Sequence, residues 1–188
     1  MALEIRPATA DRWDDVAAVM GERGDPSRCF CQYFRLRGKQ WSEANRASHR
    51  AALRAQVCSS DLPPGVIASD EAGTPVGWCA VAPRSAYPRV VASQNWRGGD
   101  PDAWAVTCFV VPVGHRRQGV AGELLLGAID FARAQGATAL EGCCVDVDAA
   151  GKVPSADLYR GPLSVFTGAG FTEISRTSPT WVLVRKTL

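Results

Sequence analysis

The chain has 188 residues, 46% of them hydrophobic and 21% charged, and its formal net charge is +2. Such a length suits one domain with a sizeable core, so we expect a single domain over residues 1–188. The balanced, scattered charge argues against a nucleic-acid partner, and the lack of a long apolar run argues against a membrane span. The N-terminus lacks the basic and apolar regions of a signal peptide, and the odd number of cysteines, seven, fits a reducing compartment. We therefore expect a cytoplasmic protein.

The N-terminal third of the chain predicts a strand followed by two helices. Leu3–Arg6 has the composition of a short strand, and a helix capped by Thr9 follows, with apolar residues at i, i+3, i+4 and i+7. A second helix, capped by Ser42, is expected to run to Val57. Between these helices, residues 28–35 are rich in aromatic residues and cysteine but show no clear period, so no element is assigned there.

The middle of the chain predicts a strand pair and a third strand that leads into a helix. Val66–Ser69 and Val76–Val81 are predicted strands joined by a turn-rich connection. Residues 83–102 form a long connection that contains proline and glycine, and connections of this length are usually functional or mobile. The apolar run Ala105–Val111 then predicts a buried strand, and the helix after it is expected to stop at Gly136.

The C-terminal part of the chain predicts three more strands and a short helix. The strands are expected over Thr138–Val145, Phe171–Ser175 and Thr180–Arg185, and the helix over Leu163–Thr167. Residues 146–161 look irregular. The mixture of strands and helices, without an internal repeat, indicates one domain of the α/β class.

The turn between the buried strand and its helix carries the clearest functional signal. It ends in Arg116-Arg117-Gln118-Gly119-Val120-Ala121, and a glycine-containing turn at a helix N-terminus leaves backbone N–H groups that can hold phosphate oxygens. Gly114 and Gly119 have the spacing of a P-loop, but Val120-Ala121 stands where Lys and Ser or Thr are needed. No G-x-G-x-x-G follows the strand either. Nucleotide hydrolases and dinucleotide-binding folds are therefore disfavoured.

The same turn resembles a known signature. Arg116-x-x-Gly119-x-Ala121, after an apolar strand and before Glu123-Leu124-Leu125-Leu126, resembles the acetyl-CoA signature Arg/Gln-x-x-Gly-x-Gly/Ala of the GNAT acetyltransferases. The order of the predicted elements, including a short helix before Gly170-Phe171, is similar to this family over most of the chain. The resemblance implies an α/β GNAT fold, in which helices flank a mixed central sheet with a splayed central strand pair.

The resemblance also implies where acetyl-CoA, as co-substrate, would bind. The strand ending at Val111 would pair with the pantetheine arm, the backbone amides from Arg117 to Gly122 would hold the pyrophosphate, and Gly119 would avoid a collision with it. The backbone amide near Val111 would stabilise the reaction's oxyanion. The implied acetyl-CoA site, which contains no metal, comprises Phe109, Val110, Val111, Arg116, Arg117, Gln118, Gly119, Val120, Ala121, Gly122 and Phe166.

The groups that would transfer protons are less sharply defined. Many family members carry a tyrosine five residues before the Phe of the Gly-Phe pair, but that position is Phe166 here, which has no proton to donate. Tyr159 and Ser164 are the nearest hydroxyls in sequence and are the candidate acids, with water as the alternative. Positioning alone could suffice without a base. The carboxylates that could act as one are Asp102, Glu141, Asp146 and Asp157.

Two further groups of residues invite a functional interpretation. A zinc site is disfavoured because Cys-x-Cys lacks the usual spacing and no second pair lies at a suitable distance. The cysteines and histidines concerned are Cys29, Cys31, Cys143, Cys144, His49 and His115. Several tryptophans lie in segments expected to border an acceptor cleft, although each could equally be a core residue. These are Trp41, Trp78, Trp96 and Trp104.

Three functions follow as hypotheses. The first is acetylation of a primary amine on a small molecule, such as an antibiotic or a metabolite, by direct attack on acetyl-CoA, because the aromatic-rich loops suggest an enclosed site. The second is acetylation of a lysine or N-terminal amine on a protein, which would predict an open groove. The third is a CoA-binding module without catalysis, which the missing tyrosine favours. No nucleic-acid or membrane partner is expected, and a homodimer stays open.

Overall fold

The computed structural model describes residues 2–59, 61–151, 153 and 157–188. Seven strands form one sheet in the order β1-β2-β3-β4-β5-β7-β6. The strands are β1 (Glu4–Pro7), β2 (Gly65–Ser69), β3 (Pro75–Pro83), β4 (Trp104–Val110), β5 (Ala139–Val145), β6 (Thr172–Arg176) and β7 (Trp181–Thr187). The helices are α1 (Trp13–Met20), α2 (Gly24–Cys29), α3 (Lys39–Ser42), α4 (Arg46–Ser59), α5 (Pro88–Val91), α6 (Val120–Ala134), α7 (Val147–Ala150) and α8 (Leu163–Gly168). Within the described part of the chain, no helix is long and apolar enough to cross a membrane.

The centre of the sheet opens between β4 and β5. These two strands are parallel, whereas all other neighbours are antiparallel. Their pairing extends only from Trp104 opposite Leu140 to Val106 opposite Gly142, although β4 continues to Val110. A bulge in the β3–β4 pairing falls at the same level, and bulges bend a strand locally. The expected mixed sheet with a splayed central pair is therefore confirmed.

A large core lies between the sheet and α6. The buried side chains of α6 recur on one side of the helix because apolar residues follow its 3.6-residue period, and they are Val120, Leu124, Leu125, Ala128, Ile129, Phe131 and Ala132. Gly77 on β3 permits this close packing, since a β-carbon there would lie 2.8 Å from side-chain atoms of Val120 and Leu124. The N-terminus of α6 is thereby fixed against the sheet beside the end of β4.

The opposite side of the sheet carries two kinds of packing. Helices α1 and α4 cover β2, β3 and the end of β4 through an apolar cluster. Over β4, β5 and β7 the cover is a layer of aromatic side chains, which we call the aromatic face. Its buried members are Phe34, Tyr87 and Trp96, and its partly buried edge is formed by Tyr33, Tyr159 and Trp181.

Both predicted helix caps are wrong. Thr9 precedes a 3₁₀ turn over Ala10–Arg12, and its hydroxyl donates to the Asp11 carboxylate instead of accepting a backbone N–H. Ser42 ends the short helix α3 instead of starting α4. The α4 cap is Asn45, whose Oδ1 accepts the Ser48 N–H at 3.0 Å while the Ser48 hydroxyl accepts the Asn45 N–H at 2.9 Å. This reciprocal pair satisfies two backbone donors, which Ser42 could not do from three residues upstream.

The three segments without assigned elements fold into short pieces. Residues 28–35 end α2 and then turn sharply, with left-handed φ angles of 44° at Phe30 and 53° at Cys31. Residues 83–102 contain α5 between two 3₁₀ turns. Residues 146–161 contain α7 and a 3₁₀ helix over Asp157–Arg160, and part of this segment lies outside the described residues.

Candidate active site

The turn before α6 presents unpaired backbone donors. Gly119 is the residue before the helix and has a φ of 83°, a left-handed conformation that glycine adopts without strain. The N–H groups of residues 117–121 donate no hydrogen bond within the described chain, whereas the Gly122 N–H donates to the Gly119 carbonyl at 2.9 Å. Unpaired N–H groups at the positive end of a helix dipole are suited to phosphate oxygens.

The space around Gly119 is open. A β-carbon built there, at Gly114 or at Gly122 would meet no heavy atom within 4 Å. Within the chain alone, glycine is therefore required at residue 119 by the backbone angle, and the open space leaves room for a ligand against the turn. An expected collision between a side chain and the pyrophosphate concerns the ligand and stays a prediction.

Two side chains of the signature hold the turn in shape. The Arg116 Nε donates to the Val111 carbonyl at 3.0 Å, and the Gln118 Nε2 donates to the Gly114 carbonyl at 2.8 Å. Arg117 is exposed and has a left-handed φ of 58°. The first signature arginine thus ties the end of β4 to the turn, and the second is free to approach an anion.

The end of β4 contributes its backbone more than its side chains. Phe109 packs into the α6 core and Val110 into the α1 and α4 core, on opposite sides of the strand. Phe166 is fully buried, and its ring lies edge to face with Phe109 at 6.0 Å between centroids. A β-carbon on Gly142 would lie 2.4 Å from the Phe166 ring, so this ring sits on the last paired residue before the strands part.

The segment before α8 enters the opening between the strands. The Val145 N–H of β5 donates to the Gly161 carbonyl at 3.0 Å. A β-carbon on Gly161 would lie 3.0 Å from the Phe109 ring, so this glycine sits close to β4 as well. Gly161 has a φ of 82°, which permits the sharp turn into α8. Residues 159 and 160 are consequently held next to the splay.

The two candidate acids occupy different environments. Tyr159 is partly buried on the aromatic face, and its hydroxyl accepts a hydrogen bond from the Arg160 Nε at 3.1 Å. Burial raises the pKa of the Tyr159 phenol, while the charge of Arg160 and its hydrogen bond oppose that rise. Ser164 is exposed in the first turn of α8. Both groups are protonated at neutral pH and can donate a proton.

Glu141 has no carboxylate oxygen available to act as a base. It is fully buried, with Oε2 accepting the Arg84 Nη1 at 3.0 Å and Oε1 accepting the Arg185 Nε at 2.9 Å and the Asp100 N–H at 2.8 Å. Gly99 packs directly against this ion pair, since a β-carbon at residue 99 would lie 2.0 Å from the Arg84 guanidinium. This carboxylate holds the 97–103 loop and β7 against β5, and the hypothesis that it acts as a base is wrong.

The other candidate bases are either paired or exposed. Asp146 accepts the Arg176 Nη1 at 2.8 Å and also caps α7, and the hydrogen bond from Arg176 lowers its pKa. A carboxylate with a lowered pKa is a weak base. Asp102 and Asp157 are exposed. The structure therefore brings none of the four carboxylates onto the aromatic face as a free base within the described residues.

Three cysteines lie in surroundings that favour the neutral thiol. A hydrogen bond with the Cys108 thiol and burial together raise the pKa of Cys31, and burial raises the pKa of Cys29 to about 11 and that of Cys144 to about 12. Zinc binds the thiolate form, which these environments disfavour. Of the described residues, no three or more His, Cys, Asp or Glu are grouped to hold a metal ion.

Three of the four predicted cleft tryptophans are core residues. Trp78 and Trp96 are buried to within 1% of full burial, and Trp104 packs edge to face with Phe131 on the α6 side. Trp41 is partly exposed and stacks on His49 with 4.8 Å between ring centroids. Only Trp41 among them borders the surface of the aromatic face.

The sequence reasoning missed Arg160. Its guanidinium carbon lies 4.7 Å from the centroid of the Trp181 ring, 5.0 Å from that of Phe34 and 5.4 Å from that of Tyr159. Its Nη1 is buried without a hydrogen-bond partner in the described chain. Two of its three ring partners, Phe34 and Trp181, lie more than 20 residues away along the chain, so no local pattern could have revealed this arrangement.

A groove of about 540 Å³ lies away from these residues. It runs along the outer side of α6 beside β1 and includes Ile5, Glu123, Leu126 and Phe131. None of its lining residues belongs to the 105–122 strand and turn. The predicted donor site is thus defined by strand edges and backbone amides and not by this groove.

Comparison with solved structures shows the same fold in known proteins. One of them, 17% identical, is a GCN5-related N-acetyltransferase from Kribbella flavida (100% of this chain and 98% of that one, TM-score 0.57). Another is a mosquito arylalkylamine N-acetyltransferase like 5b (14%, 100% and 100%, 0.57). A third is a putative acetyltransferase from Salmonella typhimurium with its cofactor acetyl-CoA (15%, 100% and 94%, 0.53).

A search of curated proteins gave no match. The sequence profile described as the acetyltransferase (GNAT) family matches residues 30–160, which is more than half of the chain and includes the turn, the splayed strands and Arg160. The chain therefore belongs to the GNAT acetyltransferase family, whose members are acyltransferases that use acetyl-CoA.

Proposed function

We propose that this protein transfers the acetyl group of acetyl-CoA to a primary amine on a small molecule, by direct attack of the amine on the thioester. The observation that carries the proposal is the combination of unpaired amides over residues 117–121 with a strand, β4, that loses its β5 partner after Val106. Together they would provide a phosphate site and a free strand edge for the cofactor.

The residues present are suited to acetyl-CoA. The amides of the turn would hold the pyrophosphate, with Arg116 and Gln118 keeping the turn in shape and Arg117 near the anion. Phe109 and Phe166 would wall the opening beneath the pantetheine arm. Acetyl-CoA supplies the activated acetyl group. The site residues would position the reactants and stabilise the developing negative charge. With a leaving group as good as a thiolate, these two effects are expected to supply most of the rate acceleration.

Proton balance assigns roles to two groups of this chain. A carbon–nitrogen bond forms and the carbon–sulfur bond breaks, so the amine loses a proton and the leaving thiolate gains one. The Val111 amide is the proposed oxyanion donor, and Tyr159 is the first candidate to protonate the thiolate, with exposed Ser164 the second. The Arg160 Nε hydrogen bond to the Tyr159 hydroxyl stabilises the phenolate that proton donation would leave behind.

The shape of the acceptor side favours a small molecule over a protein. Phe34 and Tyr159 lie 6.2 Å apart between ring centroids, so the 28–35 segment and the segment before α8 meet across the aromatic face. Arg160 and Trp181 close it further on the β7 side. A protein lysine would need an open groove at this place.

The test is the acetyl-CoA affinity of a Gly119→Glu variant. A carboxylate on the turn would repel the pyrophosphate and fill its space, so we expect affinity to fall at least about 100-fold, since like charges in contact cost several kcal/mol. Gly136→Glu is the matched control, because Gly136 at the other end of α6 also has a left-handed φ, 81°, and open space around it. Isothermal calorimetry and unfolding curves should be recorded for both variants.

The two outcomes separate cleanly. Equal loss of folding stability in both variants, with lost affinity only in Gly119→Glu, supports the site. Acetyl-CoA binding by Gly119→Glu at the affinity of the unmodified protein would show that the turn does not hold the pyrophosphate.

A further inference from the structure

The aromatic face contains an arginine with no counter-ion. Arg160 lies among three aromatic rings, its Nε is used by the Tyr159 hydroxyl, and its buried Nη1 donates to nothing in the described chain. The Cys143 thiol lies beside it: burial raises the pKa of Cys143, while the charge of Arg160 and a hydrogen bond between the two side chains oppose that rise. An arginine has five N–H donors and no acceptor, so a buried, unused N–H group costs free energy until an acceptor arrives.

Other arginines that hold segments of this protein together have acceptors for their N–H groups. Arg84 and Arg185 share the Glu141 carboxylate. Arg89, which also stacks on Tyr33 at 4.2 Å, is satisfied by the carbonyls of Tyr33 and Leu36. These structural arginines use a carboxylate or backbone carbonyls as acceptors. The Arg160 Nη1, by contrast, has no acceptor within the described residues.

Two segments that contribute to the aromatic face are rich in basic residues, and Glu141 neutralises only Arg84 among them. Residues 26–42 carry four basic side chains and no acidic one, and residues 83–99 carry three basic and no acidic one. Arg35, whose guanidinium lies 4.7 Å from the Tyr87 ring centroid, forms no ion pair within the described residues. A positive field attracts anions and disfavours the ammonium form of a bound amine, so it also reduces the need for a carboxylate base.

We propose that the acceptor is an amine that carries a carboxylate, of the amino-acid class, and that Arg160 binds this carboxylate. The inference rests on the proposed N-acetyltransferase function and names its substrate class. A guanidinium fork matches a carboxylate, and the rings of Phe34 and Trp181 fix the orientation of the fork. Arg160 directly precedes Gly161, whose carbonyl accepts the Val145 N–H of β5, so a carboxylate bound to Arg160 would lie near the opening between β4 and β5. Polycationic acceptors such as polyamines are disfavoured by the same field.

The first experiment compares amines that differ only by the carboxylate. Thiol release from acetyl-CoA is measured with phenylalanine against phenethylamine, tryptophan against tryptamine, and methionine against 3-(methylthio)propylamine. We expect kcat/KM to be higher for the carboxylated member of at least one pair. Arg160→Gln should reduce that ratio about 10- to 100-fold, as expected for a charge-assisted hydrogen bond. The readout is the ratio of kcat/KM for the carboxylated amine to kcat/KM for its counterpart without the carboxylate. If the variant disturbs Tyr159, the rates of both amines should fall equally and this ratio should not change.

Arg97→Gln is the matched control. Arg97 is exposed, lies in the basic 83–99 segment and has no ring cage, so this variant removes the same charge from the same face. The carboxylate ratio should change less than about twofold. A ratio that falls equally in both variants would indicate general attraction of anions and would overturn the specific role of Arg160.

The second experiment needs no turnover. Calorimetry on the full chain saturated with CoA compares N-acetyl amino acids with their carboxamides, using the three side chains named above. Preferential binding of the carboxylate that Arg160→Gln abolishes supports the inference even if no amine is acetylated, in which case the proposed acetyl transfer fails alone. Acetylation of amines with ratios near one, or equal binding of carboxylate and carboxamide, overturns the inference and leaves the acetyltransferase function standing.

Discussion

The donor turn and the aromatic face of this protein are built in different ways. The donor turn uses contiguous residues, from β4 through Gly119 to the first turn of α6, and its functional groups are backbone amides. The aromatic face is assembled from side chains far apart in sequence, such as Phe34, Arg160 and Trp181. A backbone site tolerates many side chains, whereas a site made of side chains changes with every substitution. If the proposed function is correct, the turn carries the chemistry common to the family and the aromatic face carries the specificity.

The largest expected loss of stability comes from removing Glu141, the carboxylate that anchors the aromatic face through its ion pairs. Glu141→Ala leaves Arg84 and Arg185 without their carboxylate and frees the 97–103 loop. Breaking a buried ion pair by removing one partner costs about 3–5 kcal/mol. We expect the free energy of unfolding, measured in urea, to fall by that amount.

Glu173→Ala is the surface counterpart of this variant. Glu173 pairs with Arg176 at 2.9 Å, but its side chain is 44% exposed, so solvent screens the pair and the expected loss is about 0–1 kcal/mol. Similar losses for both glutamates would mean that the buried anchor is not what holds the face together.

The same contrast explains what could be predicted from the sequence. The α6 stripe, the β4 run and the signature turn are local patterns, so residues 105–136 alone predict the strand, the turn, the helix and a donor site at the turn. The α4 start was missed because Ser42 and Asn45 are both good caps, and only the reciprocal bonds to Ser48 select Asn45. Glu141 is one of four carboxylates that the sequence offers as possible bases, because no residue near it in sequence indicates its pairing with Arg84 and Arg185. Whether a carboxylate is paired or free depends on residues far away in the sequence, and a single sequence does not show which of them come together.

An intermediate effect is expected where the two regions meet. Gly142→Ala places a methyl group 2.4 Å from the Phe166 ring at the point where β4 and β5 part. The ring must move, and overpacking of this kind costs about 1–3 kcal/mol. Because Phe166 also touches Phe109, we expect acetyl-CoA affinity to fall together with stability. Calorimetry and urea unfolding measure the two quantities.

Gly168→Ala controls for the added methyl group. Gly168 is in α8, has open space around its β-carbon position, and should gain slightly from the better helix propensity of alanine. If Gly142→Ala retains both affinity and stability, the ring is not what holds the strands apart.

The smallest expected effects concern the two hydroxyls that could replace the missing tyrosine. Tyr159→Phe removes a phenol that lies on the aromatic face and is hydrogen-bonded to Arg160. We expect kcat to fall about tenfold, below the usual 10²–10⁴ for acid catalysis, because a thiolate leaves readily. Burial keeps the phenol protonated by raising its pKa, so the loss should be constant from pH 6 to 8. Ser164→Ala should change kcat less than about threefold, since water can replace an exposed hydroxyl. The reverse order, with a larger loss in Ser164→Ala, would move the acid from the aromatic face to the α8 side of the opening and would remove the contrast between the two regions.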